Sequence, residues 1–261
     1  MTALQLSLPR PRASAFKVWL RNLLVWRKLI APGLFFAFGE PFIYLLGLGY
    51  GLGRFVGEVQ GMTYLTFLAS GLVASSAMNT ASFEGMYSVF TRMVHQQTYD
   101  ALLATPLQVD DIVAGEMLWC GTKAVFAATP ILAVAALLGA VQDPGALLAI
   151  PLFFLMGLCF AGPALVVAAF APSYDFFNYY VTLVITPMFI FSGVFYPIDT
   201  LPVAAQWVVQ ALPLSHAIAL VRPLVAGQPL EVIAPHVAVL CAYALAGYLA
   251  ATVFIRRRMI Q

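Results

Sequence analysis

Long apolar runs alternate with short polar breaks along the chain, and the longest polar interval between two such runs is Thr91 to Glu116, TRMVHQQTYDALLATPLQVDDIVAGE. Within it Tyr99, Leu102 and Leu103 fall on one side of a helix and Gln96, Gln97 and Asp100 on the other, which predicts a short amphipathic helix from Gln96 to Ala104. Pro106 biases Thr105 away from helical geometry, and Asp110 or Asp111 can cap the helix that follows. A short amphipathic helix held at a membrane face is a shape for docking a partner. An ordinary polar loop is the competing reading of this stretch taken alone.

The apolar runs predict six crossings of a bilayer core that needs about 20 residues per helix. They are Gly33 to Gly53, Met62 to Met86, Met117 to Leu138, Ala146 to Ala171, Tyr180 to Phe195 and Ala234 to Ile255. Pro151 and Pro163 are expected to kink the fourth. Short turns are expected at Arg54 to Gln60 and Gln142 to Gly145. Before the first crossing, Phe16, Trp19, Leu20, Leu23 and Leu24 form a helical stripe with Lys17, Arg21 and Asn22 facing elsewhere, the pattern of a helix lying in the headgroup layer. A cleavable signal peptide fits less well, because the apolar run exceeds an h-region of about 7–15 residues and lacks a small-residue cleavage site. Tyr196 to Ile233 is broken by five prolines; Leu201 to Ala211 and Leu214 to Val225 read as two half-helices dipping into the outer leaflet. The expected fold is therefore an all-α polytopic membrane protein with six transmembrane helices, an N-terminal interfacial amphipathic helix and a re-entrant helical pair before the last span.

Composition agrees: 62% of the 261 residues are hydrophobic and 9% charged, against about half and about a quarter in soluble domains. Six crossings leave no room for a soluble enzyme domain. The net charge of +2 is small, so its placement carries the information. Arg10, Arg12, Lys17, Arg21, Arg27, Lys28, Arg92, Arg256, Arg257 and Arg258 fall on one side of the predicted spans, and Arg54 and Arg222 on the other. The positive-inside rule makes both termini, and the stretch from Thr91 to Glu116, cytoplasmic. Glu40, Glu84, Glu116, Lys123 and Arg222 are the charges in or near the membrane and read mainly as structural. For Glu40 a place on a substrate path is an equal alternative; Glu116 and Lys123, seven residues apart, are expected to balance one another.

Chemistry is sparse. No His-Glu-x-x-His pair, Gly-x-Ser-x-Gly elbow or Walker-type phosphate loop occurs. Gly47, Gly49, Gly51 and Gly53 resemble a nucleotide loop only superficially, lacking its strand, helix and acidic partner; close helix packing, within or between subunits, explains them better, as it does Gly71, Ala74, Ser75 and Ser76. His95, His216 and His236 are scattered, and Cys120, Cys159 and Cys241 lie singly in apolar stretches as packing residues, so no metal site and no catalytic residue is expected. Asp110, Asp111 and Glu116 form the best acidic cluster. They could hold a divalent ion in an intramembrane lipid-modifying enzyme, or simply complement a helix dipole. An ion-gradient transporter is a further alternative, though neither internal repeats nor several intramembrane acids are evident.

Two regions together resemble a known family. Thr98-x-Asp100-x-Leu102-Leu103-x-Thr105-Pro106-Leu107 resembles the coupling helix of permease subunits in type-2 ABC exporters. FSGVFYPIDTLPVAAQWVVQALPLSHAIALVRPL, Phe191 to Leu224, resembles the fifth span and re-entrant pair of the same family. YLLGLGYGLG, GEMLW around Glu116 and APSYDFFNYYVTLVITPMFIFSG extend the likeness, over nearly the whole chain, to lipo-oligosaccharide export permeases. Asp100 departs from the pattern, since glutamate is common there; it keeps the charge with a shorter reach.

The resemblance implies one permease domain over residues 1–261, with a cytoplasmic tail and interfacial helix at 1–31, a coupling stretch at 91–116 and an extracytoplasmic re-entrant region at 196–233. It implies two copies of an ABC ATPase, a second copy of the permease and the lipid bilayer as partners, with no nucleic acid. No cofactor is expected on this chain; ATP and Mg belong to the ATPase. Gln96, Tyr99, Asp100, Leu102, Leu103 and Pro106 would couple to it, the apolar three filling a groove on its surface. Tyr180, Phe189, Phe191, Phe195 and Tyr196 are candidates to line the translocation path, or else lipid-facing aromatics. The cargo expected is an amphiphilic glycolipid, lipo-oligosaccharide or polysaccharide, with a multidrug permease as the alternative, and the location a bacterial inner membrane.

Overall fold

A computed structural model describes residues 9–29 and 42–259. The predicted break at Pro32-Gly33, the start of the first span and Glu40 lie outside the described residues. Among the described residues the regular elements are helical apart from one minimal hairpin. In chain order the elements are α1 (Ala15–Trp26), α2 (Phe42–Val56), β1 (Glu58–Val59), β2 (Met62–Thr63), α3 (Tyr64–Phe83), α4 (Thr98–Leu103), α5 (Val109–Leu137), α6 (Ala149–Phe170), α7 (Phe176–Phe191), α8 (Val203–Ala211), α9 (Pro213–Ala226) and α10 (Ala234–Met259). α5, the run Pro144–Phe170 that contains α6, and α10 are long and apolar enough to cross a membrane, and α8 with α9 would make a fourth such unit if the bent pair is one span.

α6 packs against α10, α5 and α3, while α1 lies along α5 and α9 along α3. Two crossings of α6 are glycine on glycine: a Cβ built on Gly162 would stand 2.5 Å from the Gly247 Cα of α10, and one on Gly157 2.5 Å from the Gly121 Cα of α5. Only two bare backbones can meet at that distance, the small-residue packing available to helices that gain nothing from burying apolar surface in lipid.

Several elements differ from their sequence-based limits. The expected turn from Arg54 is instead the end of α2 followed by the β1–β2 hairpin, whose Gln60 and Gly61 both have positive φ, as a two-residue turn requires. Thr63 then caps α3, its hydroxyl accepting from the Thr66 N–H. α3 continues past Met86 through π turns at Glu84–Ser88 and Thr91–His95. Gln108, and neither Asp110 nor Asp111, is the N-cap of α5; Asp111 accepts from its N–H. Pro151 sits in the first turn of α6, where its missing N–H has no intrahelical role, and Pro163 alone is internal. α7 starts before Tyr180 and ends at Phe191, leaving Phe195 and Tyr196 in the connection. Leu212, held extended by the proline after it, sets the 86° bend between α8 and α9. Gly49 packs α2 onto Leu65, whereas Gly47 and Gly51 face open space.

Candidate functional site

The π turns at the end of α3 carry Glu84 on one side and Arg92 on the other, and α5 brings up Glu116 and Trp119 from across the short helix. Arg92 donates from Nε to Glu116 Oε1 at 3.0 Å and from Nη2 to Glu116 Oε2 at 2.6 Å. Its Nη1 also reaches Glu84 Oε1 at 3.3 Å. Trp119 Nε1 donates to the same Glu84 oxygen at 2.9 Å, and Asn22 of α1 donates Nδ2 to Glu116 Oε2 at 3.0 Å. Glu116 and Asn22 are buried, and the Arg92 and Glu84 side chains are 13% exposed. Each carboxylate therefore has charge-assisted partners in a region that water barely reaches, the condition under which a buried pair holds its place.

α4 stands over this cluster. Gln97 adopts a left-handed conformation (φ 48°, ψ 30°), so the helix begins at Thr98 and spans six residues, shorter than Gln96 to Ala104. Tyr99 points inward and is fully buried. Its hydroxyl lies beside the Glu116 carboxylate without a hydrogen bond of normal geometry, and burial, together with the Glu116 charge, pushes its pKa well above the ordinary phenol value. Leu102 and Leu103 are half-buried against the chain's own core. Of the three residues expected to fill a partner's groove, Tyr99 is instead enclosed by the chain's own core, while Leu102 and Leu103 keep part of their surface outside: the apolar face of an amphipathic helix is satisfied first by the core it covers. The surface α4 leaves outside is Gln96, Gln97, Asp100, Ala101, Ala104, Thr105 and Pro106.

A second charge group lies at the same end of the bundle. The N–H groups of Arg10 and Arg12 each donate at 2.9 Å to Asp110 and Asp111 respectively, and Arg256 pairs with Asp110. Arg258 Nη1 donates to the carbonyls of Ala168, Ala169 and Ala171 at 2.8 to 2.9 Å, closing the C-terminus of α6. The arginines after the predicted last span thus lie within α10 and hold the bundle's end. Asp110, Asp111 and Glu116 go to different partners, and among the described residues no cluster of three or more His, Cys, Asp or Glu is placed to hold a metal ion.

The expected Glu116–Lys123 balance is replaced as well. Glu116 goes to Arg92, and Lys123 lies over the Trp26 ring, 4.9 Å from its centroid. Trp119, Asn22 and Arg92 are participants that the sequence pattern does not single out, and the nearest signal in it is Glu116, a charge at the edge of an apolar run. His216 and His236, far from scattered, meet Nδ1 to Nδ1 at 2.7 Å. Arg222 donates Nε to Ser70 Oγ at 3.1 Å and Nη2 to the Gly193 carbonyl at 2.6 Å, with its guanidinium 3.7 Å from the Phe67 ring centroid. Cys241 is exposed, unlike the buried Cys120 and Cys159.

Of the aromatic candidates, Phe189 borders a cavity of about 390 Å3 with Asn79, Thr80 and Thr186 between α3 and α7. It also borders an adjoining one of about 140 Å3 with Ser75, Ser76 and Tyr44. Phe195 stacks edge-on against Phe189 at 5.0 Å; Tyr180 and Tyr196 are half-buried and Phe191 is exposed.

Three helices long and apolar enough to cross a membrane, packed on one another, with paired charges buried where α1, α3 and α5 meet, define a membrane protein. The chain belongs to the ABC-2 type transporter family, whose model matches residues 16–226. It is 46% identical over 255 residues to nodulation protein J of Rhizobium leguminosarum bv. viciae, covering 98% of each chain. It is 45% identical over 243 residues to nodulation protein J of Rhizobium meliloti (strain 1021), 93% of each. To the inner membrane transport permease YadH of Escherichia coli (strain K12) it is 23% identical over 182 residues, 70% of this chain and 69% of that one. No solved structure matches. The protein is thus an ABC transporter permease, a membrane subunit whose family implies pairing with an ABC ATPase subunit.

Proposed function

We propose that the chain is the permease of an ATP-driven exporter that moves an amphiphilic glycolipid, of lipo-oligosaccharide or polysaccharide type, out across a bacterial inner membrane. Two copies would form the path, each served by an ATPase that carries ATP and Mg. In this reading the chain crosses six times, through the run containing α2 and through α3, α5, α6, α7 and α10. The α8–α9 pair re-enters from outside, and the basic residues hold both termini in the cytoplasm. The outward faces of Gly47 and Gly51 suit contact with the second copy. The aromatic and polar row formed by Phe189, Asn79 and Thr186 suits a cargo with both sugar and acyl parts. The cargo class rests on the likeness to lipo-oligosaccharide export permeases and on the similarity to nodulation protein J.

One observation carries the coupling step: Tyr99 is buried under α4 beside the Arg92–Glu116 pair. Gln96, Asp100 and Pro106, with Ala101 and Ala104, would meet the ATPase, while Tyr99, Leu102 and Leu103 anchor the helix. A push on α4 would then reach α1 through Asn22, α3 through Glu84 and Arg92, and α5 through Glu116.

The test is purification of the tagged chain from its native membrane in mild detergent, with identification of whatever accompanies it. Ala101→Arg and Ala104→Glu change only exposed positions and should release a co-purifying ATPase while the permease keeps its thermal unfolding temperature. A folded chain that emerges alone, or an ATPase retained by both variants, rejects this docking face.

A further inference from the structure

A groove with a volume of about 560 Å3 runs between the N-terminal segment, α5, α6 and α10. Phe16, Leu118, Leu155, Cys241 and Leu245 wall it, and Arg12 stands at its rim. This groove shares no lining residue with the α3–α7 cavities. An open apolar groove at membrane depth fills with hydrocarbon, because nothing polar can be satisfied there.

Charge at the rim selects the headgroup. Asp110 and Asp111 are buried, their carboxylates turned inward to the N–H groups of Arg10 and Arg12 and to Arg256. Arg10, Arg12 and Lys17 are exposed, and among the described residues their side chains have no hydrogen bond or ion pair. The rim therefore presents cations with the neighbouring acids already engaged. Moving inward from there along α10 the groove passes Tyr248, then Leu245, then Cys241, about two helical turns deeper.

We infer that this groove is a resident site for an anionic glycerophospholipid of the surrounding leaflet, its phosphate on Arg12 and one acyl chain lying along α10 to Cys241. Such a lipid would clamp the N-terminal segment and α1 onto the bundle, next to the Asn22 contact with Glu116. The inference rests on the cytoplasmic placement of the N-terminal segment proposed above, but not on the cargo or the ATPase.

The experiment uses the full chain in nanodiscs containing phosphatidylglycerol with a diazirine midway along one acyl chain, and in a second set phosphatidylcholine with the same label at equal mole fraction. After illumination, crosslinks are located by peptide mass spectrometry. The phosphatidylglycerol probe should mark the Cys241–Leu245 part of α10 several-fold more than the phosphatidylcholine probe does. Arg12→Gln should erase that preference. Ala244→Trp, which fills the groove, should abolish crosslinking there with both probes while leaving the exposed Leu183 face of α7 labelled as before. Equal marking by the two headgroups, indifference to Arg12→Gln, or labelling no denser at Cys241–Leu245 than around Leu183 would overturn the site. None of these outcomes bears on ATPase co-purification, so the two proposals fail separately.

Discussion

Arg92 and Glu116 are 24 residues apart and sit on either side of the short helix α4, yet they are joined by two hydrogen bonds, Nε to Oε1 at 3.0 Å and Nη2 to Oε2 at 2.6 Å. The pair closes the loop that displays α4. It ties the end of α3 to the start of α5, so the helix above it rests on a fixed base.

Removing one partner should be costly. Arg92→Met strands the Glu116 carboxylate, whose side chain is 0% exposed and keeps only the Asn22 amide as a donor, and the loss should be about 3–5 kcal/mol, as for other buried pairs broken from one side. Arg92→Met with Glu116→Leu should lose much less than the sum of the single changes. Thermal unfolding in detergent of both single variants and the double variant measures the coupling; simple additivity would mean that the pair does not act as a unit.

Tyr99 separates shape from hydroxyl. Its ring is buried, and its OH lies beside Glu116 without a hydrogen bond of normal geometry. Tyr99→Phe should keep or slightly raise the unfolding temperature, whereas Tyr99→Ala should cost about 3–5 kcal/mol through the cavity it leaves. A marked loss with phenylalanine would show that the hydroxyl has a partner in the membrane-bound protein.

The crossing of α6 and α10 tolerates no side chain. Gly162→Leu should prevent the approach to Gly247, where even a Cβ would stand at 2.5 Å. It should lower the unfolding temperature and raise proteolytic cleavage of α10. Ala164→Ser, a small change two residues along α6, serves as the control. An unchanged protease pattern with Gly162→Leu would contradict the close crossing.

Arg222 should not be replaceable by lysine. Its planar group spans Ser70 and the carbonyl of Gly193 while lying over Phe67, a geometry that an ammonium cannot reproduce. Arg222→Lys should lose about 1.5–3 kcal/mol, the scale of hydrogen bonds to charged groups. Unfolding of the purified variant checks this, and full stability would show that the positive charge alone suffices.

The legible features were those written in consecutive residues. α5, α6 and α10 could be read because their apolar runs exceed membrane length, and α8 and α9 because prolines bracket them. The position of α4 followed from Pro106 and from Tyr99, Leu102 and Leu103 falling on one face. Its start did not, since a left-handed Gln97 is a backbone state that no side-chain pattern announces. The pairing of Glu116 was misread for a similar reason: Lys123 is its neighbour in sequence, but α3 and α1 deliver Arg92 and Asn22 to it.

Hydrophobic periodicity and the scarcity of charge were thus enough to determine that this is a helical membrane protein with one exceptional polar interval. Both depend on the local solvent preference of each segment. Only the tertiary structure decided which way α4 faces, which base neutralises which acid, and that His216 meets His236. Those outcomes depend on which helix faces come together once α1, α3, α5 and α10 pack, and a buried charge takes the partner that packing brings within about 3 Å.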